Sequence, residues 1–405
     1  MLRSMYSGIS GMKNFQTKLD VIGNNIANVN TYGFKKGRVT FKDTMNQMVS
    51  GASASQDNRG GKNPIQVGLG STLATIDTIH TQSSLQTTGR SLDLAISGDG
   101  YFMVKQGDAQ FYTRAGNFYL DDNGSLVNGD GYKVQAFTLN EDGTTSNQFG
   151  DVAVNVNAVL PPVTTDKISI SGNLASNSVN NGTPFTQQVQ VIDNTGQAHR
   201  IDVHFAKTGD NQWGVYVNKP VKNEDGTTDT PTTTITYNTE TKKFGPVTLS
   251  TPIDIEGIDP ITVQLDFNQL TQEAGSTSAL VNPNGNTEGA LESFNIGSSG
   301  EINGVYSNGL VRTLGVLALA KFSNSSGLTK AGGNLFQESI NSGVANINVA
   351  GEGRGSIAAG TLEMSNVDLS EEFTEMISAQ RGFQANTRII TTSDEILQEL
   401  VNLKR

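Results

Sequence analysis

Apolar residues recur at helical spacing near both ends of the chain and at strand spacing between them. Near the start, Leu2, Met5, Ile9, Met12, Leu19, Ile22, Ile26 and Val29 mark one stripe. Their steps of three and four residues are those of one helix face, with a gap at Gln16, beside Phe15. An Asn, Thr and Gly cluster over residues 28–33 predicts the stop. A helix of that length runs roughly 40 Å. Ser4, Gly8 and Gly11 form a second, small-residue face. Gly costs a helix up to about 1 kcal/mol relative to Ala, so this face predicts that another backbone packs close.

The last segment reads the same way. Asp368 is the predicted N-cap, with Glu371 as its capping-box partner. Phe373, Met376, Phe383, Ile390, Leu397 and Val401 repeat at heptad-compatible positions, while the slots between them, Gln380, Thr387 and Asp394, are polar. Ile389, Ile396, Leu400 and Leu403 make a second stripe. Two stripes on one helix call for two partners, or for one groove between neighbours. An antiparallel pair of the two end helices within one chain is the simplest arrangement.

Between the helices the period changes. Residues 34–90 are polar with few periodic signals, and 51–61 reads as an exposed loop. Short strands are predicted at 102–104, 111–112, 118–120 and 132–134, with Asp121-Asp122-Asn123-Gly124 as a turn. Residues 164–290 differ in character, with dense threonine over 227–251. Strands are predicted there at 168–170, 189–192, 201–206, 213–217, 235–237 and 261–267. Asp193-Asn194-Thr195-Gly196 and Asn223-Glu224-Asp225-Gly226 are turn signals. Such spacing predicts a separate β-sandwich or barrel, with Phe205, Trp213, Val215 and Phe267 in its core. Residues 293–360 return to the strand pattern that precedes 164, most apolar over 310–322, and 351–355 (GEGRG) reads as a flexible connector. The expected fold is therefore mixed and mainly β. Its parts are a terminal helical domain of 1–30 with 361–405, a connecting segment at 31–91, a discontinuous β domain of 92–163 with 291–360, and an inserted outer β domain at 164–290.

Composition sharpens this picture. Gly is 45 of 405 residues, about 11% against a usual 7% or so, which suits many turns rather than one large enzyme core. The net charge of −11 argues against nucleic acid as a partner. The ends differ in sign: residues 1–45 carry seven basic and two acidic groups, residues 363–405 four basic and eight acidic. Residues 164–290 carry fourteen acidic groups to seven basic, as suits an outward-facing module. With no cysteine, disulfides, thiolate catalysis and Cys-based zinc sites are excluded. The first eight residues lack the apolar run of a secretory signal, and no eighteen-residue apolar stretch predicts a membrane span.

Catalytic patterns are missing. His80, His199 and His204 make no H-E-x-x-H motif, and the spacing of the last two puts them on opposite strand faces. Read as a calcium loop, residues 121–124 misplace the glycine and lack the closing Glu. No Ser lies in G-x-S-x-G. The expectation is a protein without enzymatic activity, metal or cofactor.

Several longer runs carry a resemblance. Residues 5–11 (MYSGISG) and 24–35 (NNIANVNTYGFK) resemble the N-terminal signature of the flagellar rod and hook axial proteins. Residues 363–386 (EMSNVDLSEEFTEMISAQRGFQAN) resemble the C-terminal motif of the same family. Residues 92–102 (LDLAISGDGYF), 112–118 (YTRAGNF) and 306–309 (YSNG) are similar to its β domain. The resemblance implies a coiled-coil inner layer from the end helices, a middle tube from the β domain and an outer surface from the insert. It implies an assembly interface at Leu2, Met5, Ile9, Met12, Leu19, Ile22, Ile26, Phe373, Met376, Phe383, Ile390, Leu397 and Val401. It further implies a helical homopolymer that transmits torque as a hook, since the distal rod subunits lack a large central insert. The implied partners are further copies, the rod, hook-capping and hook–filament junction proteins, and a type III export apparatus that cleaves no signal. A distal rod subunit is the alternative. A secreted β-rich adhesin is the alternative from another class. The helices of residues 1–30 and 369–405, lacking a partner surface in the monomer, are expected to order on assembly.

Overall fold

The computed structural model describes residues 2–55, 60–140, 144–155, 159–180, 182–221, 229–245, 248–253 and 261–403. The turn expected at 223–226, and 56–59 of the expected loop, lie outside them. Two helices, α1 (Leu2–Ala27) and α2 (Leu369–Asn402), frame a long series of strands. Contacts divide the chain into two compact units: Met1–Asn155 with Phe294–Asn303 and Thr313–Arg405, and Val156–Ser293 with Gly304–Arg312. By this measure the terminal helices belong with the β-strands that follow and precede them.

In the first unit, strands distant in sequence are neighbours in space. Tyr101–Gln106 pairs with Ala109–Thr113, Lys133–Leu139 and Leu319–Lys321, and Ala109–Thr113 pairs with Leu335–Gln337. Tyr101, Met103, Tyr112, Phe322, Leu328 and Phe336 share its buried core. The turn at residues 121–124 forms as its sequence requires: Asp121 Oδ1 accepts from the amides of Asn123 and Ser125, and Gly124 has φ +78°.

Two expectations need correction. Residues 34–90 are largely strands: Gly37–Asp43 pairs with Ser71–Thr78, and Asn46–Ser50 with Ile65–Gly68. Alternation is present but short, at Val39 and Phe41 and at Ile65 and Val67, and neither face of these ribbons is fully buried, so the period-two signal is weak among polar neighbours. Residues 351–355 are also not a loose connector. The Gly355 amide donates to Asp99 O at 2.7 Å, and Ser356–Ala359 pairs with Leu94–Ser97. A Cβ at Gly355 would lie 2.5 Å from Ser97 O, so glycine is there for close approach.

The second unit contains a β-sandwich. One sheet orders Thr248–Ile253, Ile261–Glu273, Lys167–Ala175 and Leu280–Pro283; the other runs in sequence order from Phe185–Ile192 to Lys243–Gly245. Both inner faces feed one apolar core that includes Ile170, Ile201, Phe205, Trp213, Val215 and Phe267. The four core residues expected from the sequence are each at most 2% exposed. The insert's ends meet: Val163 and Asn286 exchange backbone hydrogen bonds of 2.9 and 3.1 Å.

Candidate functional site

The helices pair antiparallel through small and polar residues. Gly8 faces Ile390, Gly11 faces Asn386, Phe15 faces Gly382, and Asn25 reaches Glu372. A Cβ at Gly382 would sit 2.5 Å from the Phe15 ring, and one at Gly11 2.9 Å from Asn386 Oδ1. Ala379 and Ser393 are buried on the same α2 face, and the Thr387 hydroxyl points to Met12 Sδ at 3.7 Å. Close packing on the glycine face, expected for α1, is present. Asp368 caps α2, its carboxylate accepting from the amides of Ser370 and Glu371 at 2.8 and 3.4 Å. Glu371 itself turns to Lys36, at 2.7 Å.

Where the chain leaves α1 and re-enters α2, it forms a buried polar junction. Glu363 Oε1 accepts from Lys35 Nζ at 2.6 Å and from the Ser83 amide at 3.0 Å, while its Oε2 accepts from Arg114 Nη1 at 3.2 Å. The Lys35 and Glu363 side chains have no solvent exposure, and Arg114 has 4%. The Gly33 amide donates to Glu363 O at 2.8 Å. Gly33 has φ +70°, and a Cβ there would meet the Ala115 amide nitrogen at 2.5 Å, so only glycine fits. Asn25 exchanges two 2.9 Å hydrogen bonds with the backbone of Gly37, and Asn366 accepts from the Lys36 amide at 2.7 Å.

Charge in this junction is tightly constrained. Burial lowers the Lys35 amine below its usual range, against the pull of Glu363. The Arg114 guanidinium lies over the Tyr101 ring, 5.2 Å from its centroid. The Tyr101 hydroxyl is 2.7 Å from His80 Nδ1. Burial, then repulsion from Lys35, Lys330 and Arg114, pushes His80 down to about 4. With Lys35 and Glu363 sealed from solvent, this arrangement can fix backbone segments but offers nothing to a substrate. Among the described residues, no cluster of His, Cys, Asp or Glu is placed to hold a metal ion.

The sequence-predicted interface residues fall on different surfaces. Ile22 is buried; Met5, Met12, Leu19, Ile26, Met376, Phe383, Ile390 and Leu397 are partly buried; Ile9, Phe373 and Val401 are exposed. The Leu2 side chain lies outside the described residues. The seam between the helices is thus offset from the heptad stripe, because close approach selects small residues that an apolar periodicity does not register. The helices also have a partner surface within the chain, contrary to the expectation that they lack one: Phe15 packs edge-on against Phe41 at 6.2 Å, and Asn14 donates to Ser71 Oγ at 2.9 Å. The complementary end charges meet inside the same chain, Lys18 with Glu375 and Lys36 with Glu371.

The junction residues went unrecognised as a group, yet a signal for them existed. Lys35 closes the run 24–35, Glu363 opens the run 363–386, Arg114 lies in 112–118 and Tyr101 in 92–102. The separate motifs converge on one buried cluster.

Comparison with known proteins follows the same segments. Family models match in chain order: flagella basal body rod protein at residues 5–35, flagellar hook protein FlgE/F/G D1 domain at 95–182, flagellar basal body protein FlaE D2 domain at 164–286, and flagellar basal body rod FlgEFG protein C-terminal at 358–403. The flagellar hook protein FlgE of Treponema pallidum (strain Nichols) is 39% identical over 463 residues, covering 100% of both chains. The chain belongs to the flagellar hook and basal-body rod protein family. FlgE of Salmonella typhimurium is 36% identical, over 99% of this chain and all of that one. The Bacillus subtilis relative, 41% identical over 100% of both chains, is named flagellar basal-body rod protein FlgG. The crystal structure of Helicobacter pylori hook protein FlgE2 superposes with a TM-score of 0.54 at 16% identity, covering 69% of this chain and 100% of that one. That likeness speaks to fold alone. The family is one of flagellar structural proteins, not of enzymes, and no helix among the described residues is long and apolar enough to cross a membrane.

Proposed function

We propose that this chain is the structural subunit of the flagellar hook, a hollow flexible tube that carries torque from rod to filament. One observation carries the reading. The helix pair closes on small and polar residues and leaves apolar side chains uncovered outside that seam: Ile9, Phe373, Ile377, Ile389, Ile396 and Val401 stand 43–66% exposed. Apolar surface repeated along two helices marks an interaction site, and in a self-assembling family the partner is another copy. In this reading 1–30 with 361–405 form the inner layer, 31–91 connects, 92–163 with 291–360 forms the middle tube, and 164–290 lies outside. Of the thirteen interface residues from Leu2 to Val401, Ile22 packs within the chain, and the exposed Ile9, Phe373 and Val401 lead the helix-borne contacts between copies. Rod, hook-capping and hook–filament junction proteins bind the tube's ends. Export runs through the type III apparatus without signal cleavage, and the tube stands outside the cell.

A distal rod subunit is the second reading, favoured by the Bacillus relative's name. That relative spans the insert as well, so the insert alone does not separate the two. Electron microscopy of basal bodies tests both. Replacing 164–290 by a short Gly/Ser linker should leave tubes that are straight or misshapen, with impaired swimming, because closing that loop costs little. Absence of any tube would place the insert in the assembly core and overturn the layered reading. Tubes confined to the rod would favour the alternative.

A further inference from the structure

The junction has a third strand of chain besides those flanking the helices. Residues 79–84 run between them and bond to both. Toward the α1 side, the Ile79 amide donates to Lys36 O at 2.9 Å, and Thr81 O accepts from Lys35 Nζ at 2.8 Å. Toward the α2 side, the Ser83 amide donates to Glu363, Ser83 Oγ donates to Ser365 O at 2.8 Å, and Asn366 Nδ2 donates to Ile79 O at 2.8 Å. This strap is tied to the β domain through His80. Its ring stands edge-on to Phe336 and Tyr101 at centroid distances of 5.3 and 6.0 Å, with the Tyr101 hydroxyl on Nδ1. His80 Nε2 is buried and has no hydrogen-bond partner.

We propose that residues 79–84 form an acid-sensitive latch, with His80 as the catch that keeps both helix-bearing ends of the chain docked on the β domain. Three cations face the imidazole from separate elements: Lys35 after α1, Arg114 after strand Ala109–Thr113, and Lys330 in strand Thr329–Gly332. The nearby carboxylate, Glu363, already accepts from Lys35 and Arg114. A proton on His80 would add a fourth positive charge and leave an Nε2–H with no acceptor, whichever of Nδ1 and the Tyr101 hydroxyl donates in the neutral state. The protonated ring is stable only outside the aromatic pocket, and its exit pulls the strap from both helix ends. The folded-state value lies below the ordinary one, so the docked form is fully favoured above about pH 6.5 and loses ground as pH falls toward about 4.

Hydrogen–deuterium exchange on the full chain reads this out, as protection factors corrected for intrinsic rates. Between pH 7 and pH 4.5, α1, α2 and residues 79–84 should lose at least tenfold protection, while sandwich peptides over 185–217 hold theirs. His80→Asn keeps an acceptor for Tyr101 and removes the titration, so it should flatten that loss. A loss that survives in His80→Asn would assign the transition to another group and overturn the proposal. Should that variant not fold, histidine NMR in the unaltered chain decides: a His80 titration near the ordinary 6.5 would equally overturn it.

Discussion

The sandwich core and the helix–β junction hold their regions together by opposite means. The sandwich closes on aliphatic and aromatic side chains from two sheets, each worth about 1.5–3 kcal/mol when fully buried. That force is non-directional, so many sequences of similar volume would serve. The junction buries Lys35, Glu363 and Arg114, whose desolvation offsets much of their mutual attraction. Replacing such a cluster with apolar residues is often neutral, so its value here lies in fixing which segments meet. The comparison separates a region that needs only to be stable from one that must be oriented.

The sharpest way to break this comparison is Glu363→Ala. It leaves two buried cations without their carboxylate and should destabilise the first unit by about 3–5 kcal/mol. Thermal unfolding followed by Trp213 fluorescence should barely move, because the chain's one tryptophan sits in the sandwich core, while helix circular dichroism should melt early. A joint shift of both signals would mean the two units do not unfold separately. Ile201→Ala is the mirror experiment. It should cost the sandwich about 2–5 kcal/mol through lost burial and a cavity, shifting the fluorescence melt and sparing the helices. Gly382→Ala tests the helix seam. Helix propensity gains up to about 1 kcal/mol, but overpacking against Phe15 costs about 1–3, so a modest net loss of helix protection is expected. Increased stability would show that the Phe15 ring moves aside freely. Smallest is Lys18→Ala, which removes the exposed bridge to Glu375 and should cost about 0–1 kcal/mol. The loss should shrink in high salt; a salt-independent cost would point to packing of the Lys18 stem.

The same contrast explains what could be read from sequence. The sandwich strands and the turn at Asp193 declare themselves because alternation and turn chemistry are local. Both helices are legible for the same reason, as is the Asp368 cap. The ribbons at Gly37–Asp43 and Asn46–Ser50 are not, since strands without a buried face carry few apolar residues and their alternation, as at Val39 and Phe41, is too short to stand out. Nor is the helix register, because Gly382, Asn386 and Ala379 carry it where Phe373 and Leu397 attract the eye. The junction was hidden for another reason. A lone Lys35 or Glu363 reads as surface charge until the partner, hundreds of residues away, is known.

That separation has a consequence for the order of events as the chain folds. Lys35 and Glu363 are 328 positions apart, and Lys18 and Glu375 are 357 apart. The sandwich hairpin from Phe185 to Gly209 pairs residues at most twenty apart. Contacts of short span form early, whereas a pairing of long span must await the whole intervening loop. During synthesis the sandwich can therefore be complete while α1 has no α2 to meet and Lys35 has no carboxylate. The junction closes last, after the Glu363 segment has emerged, and until then the chain is a folded middle with two open arms.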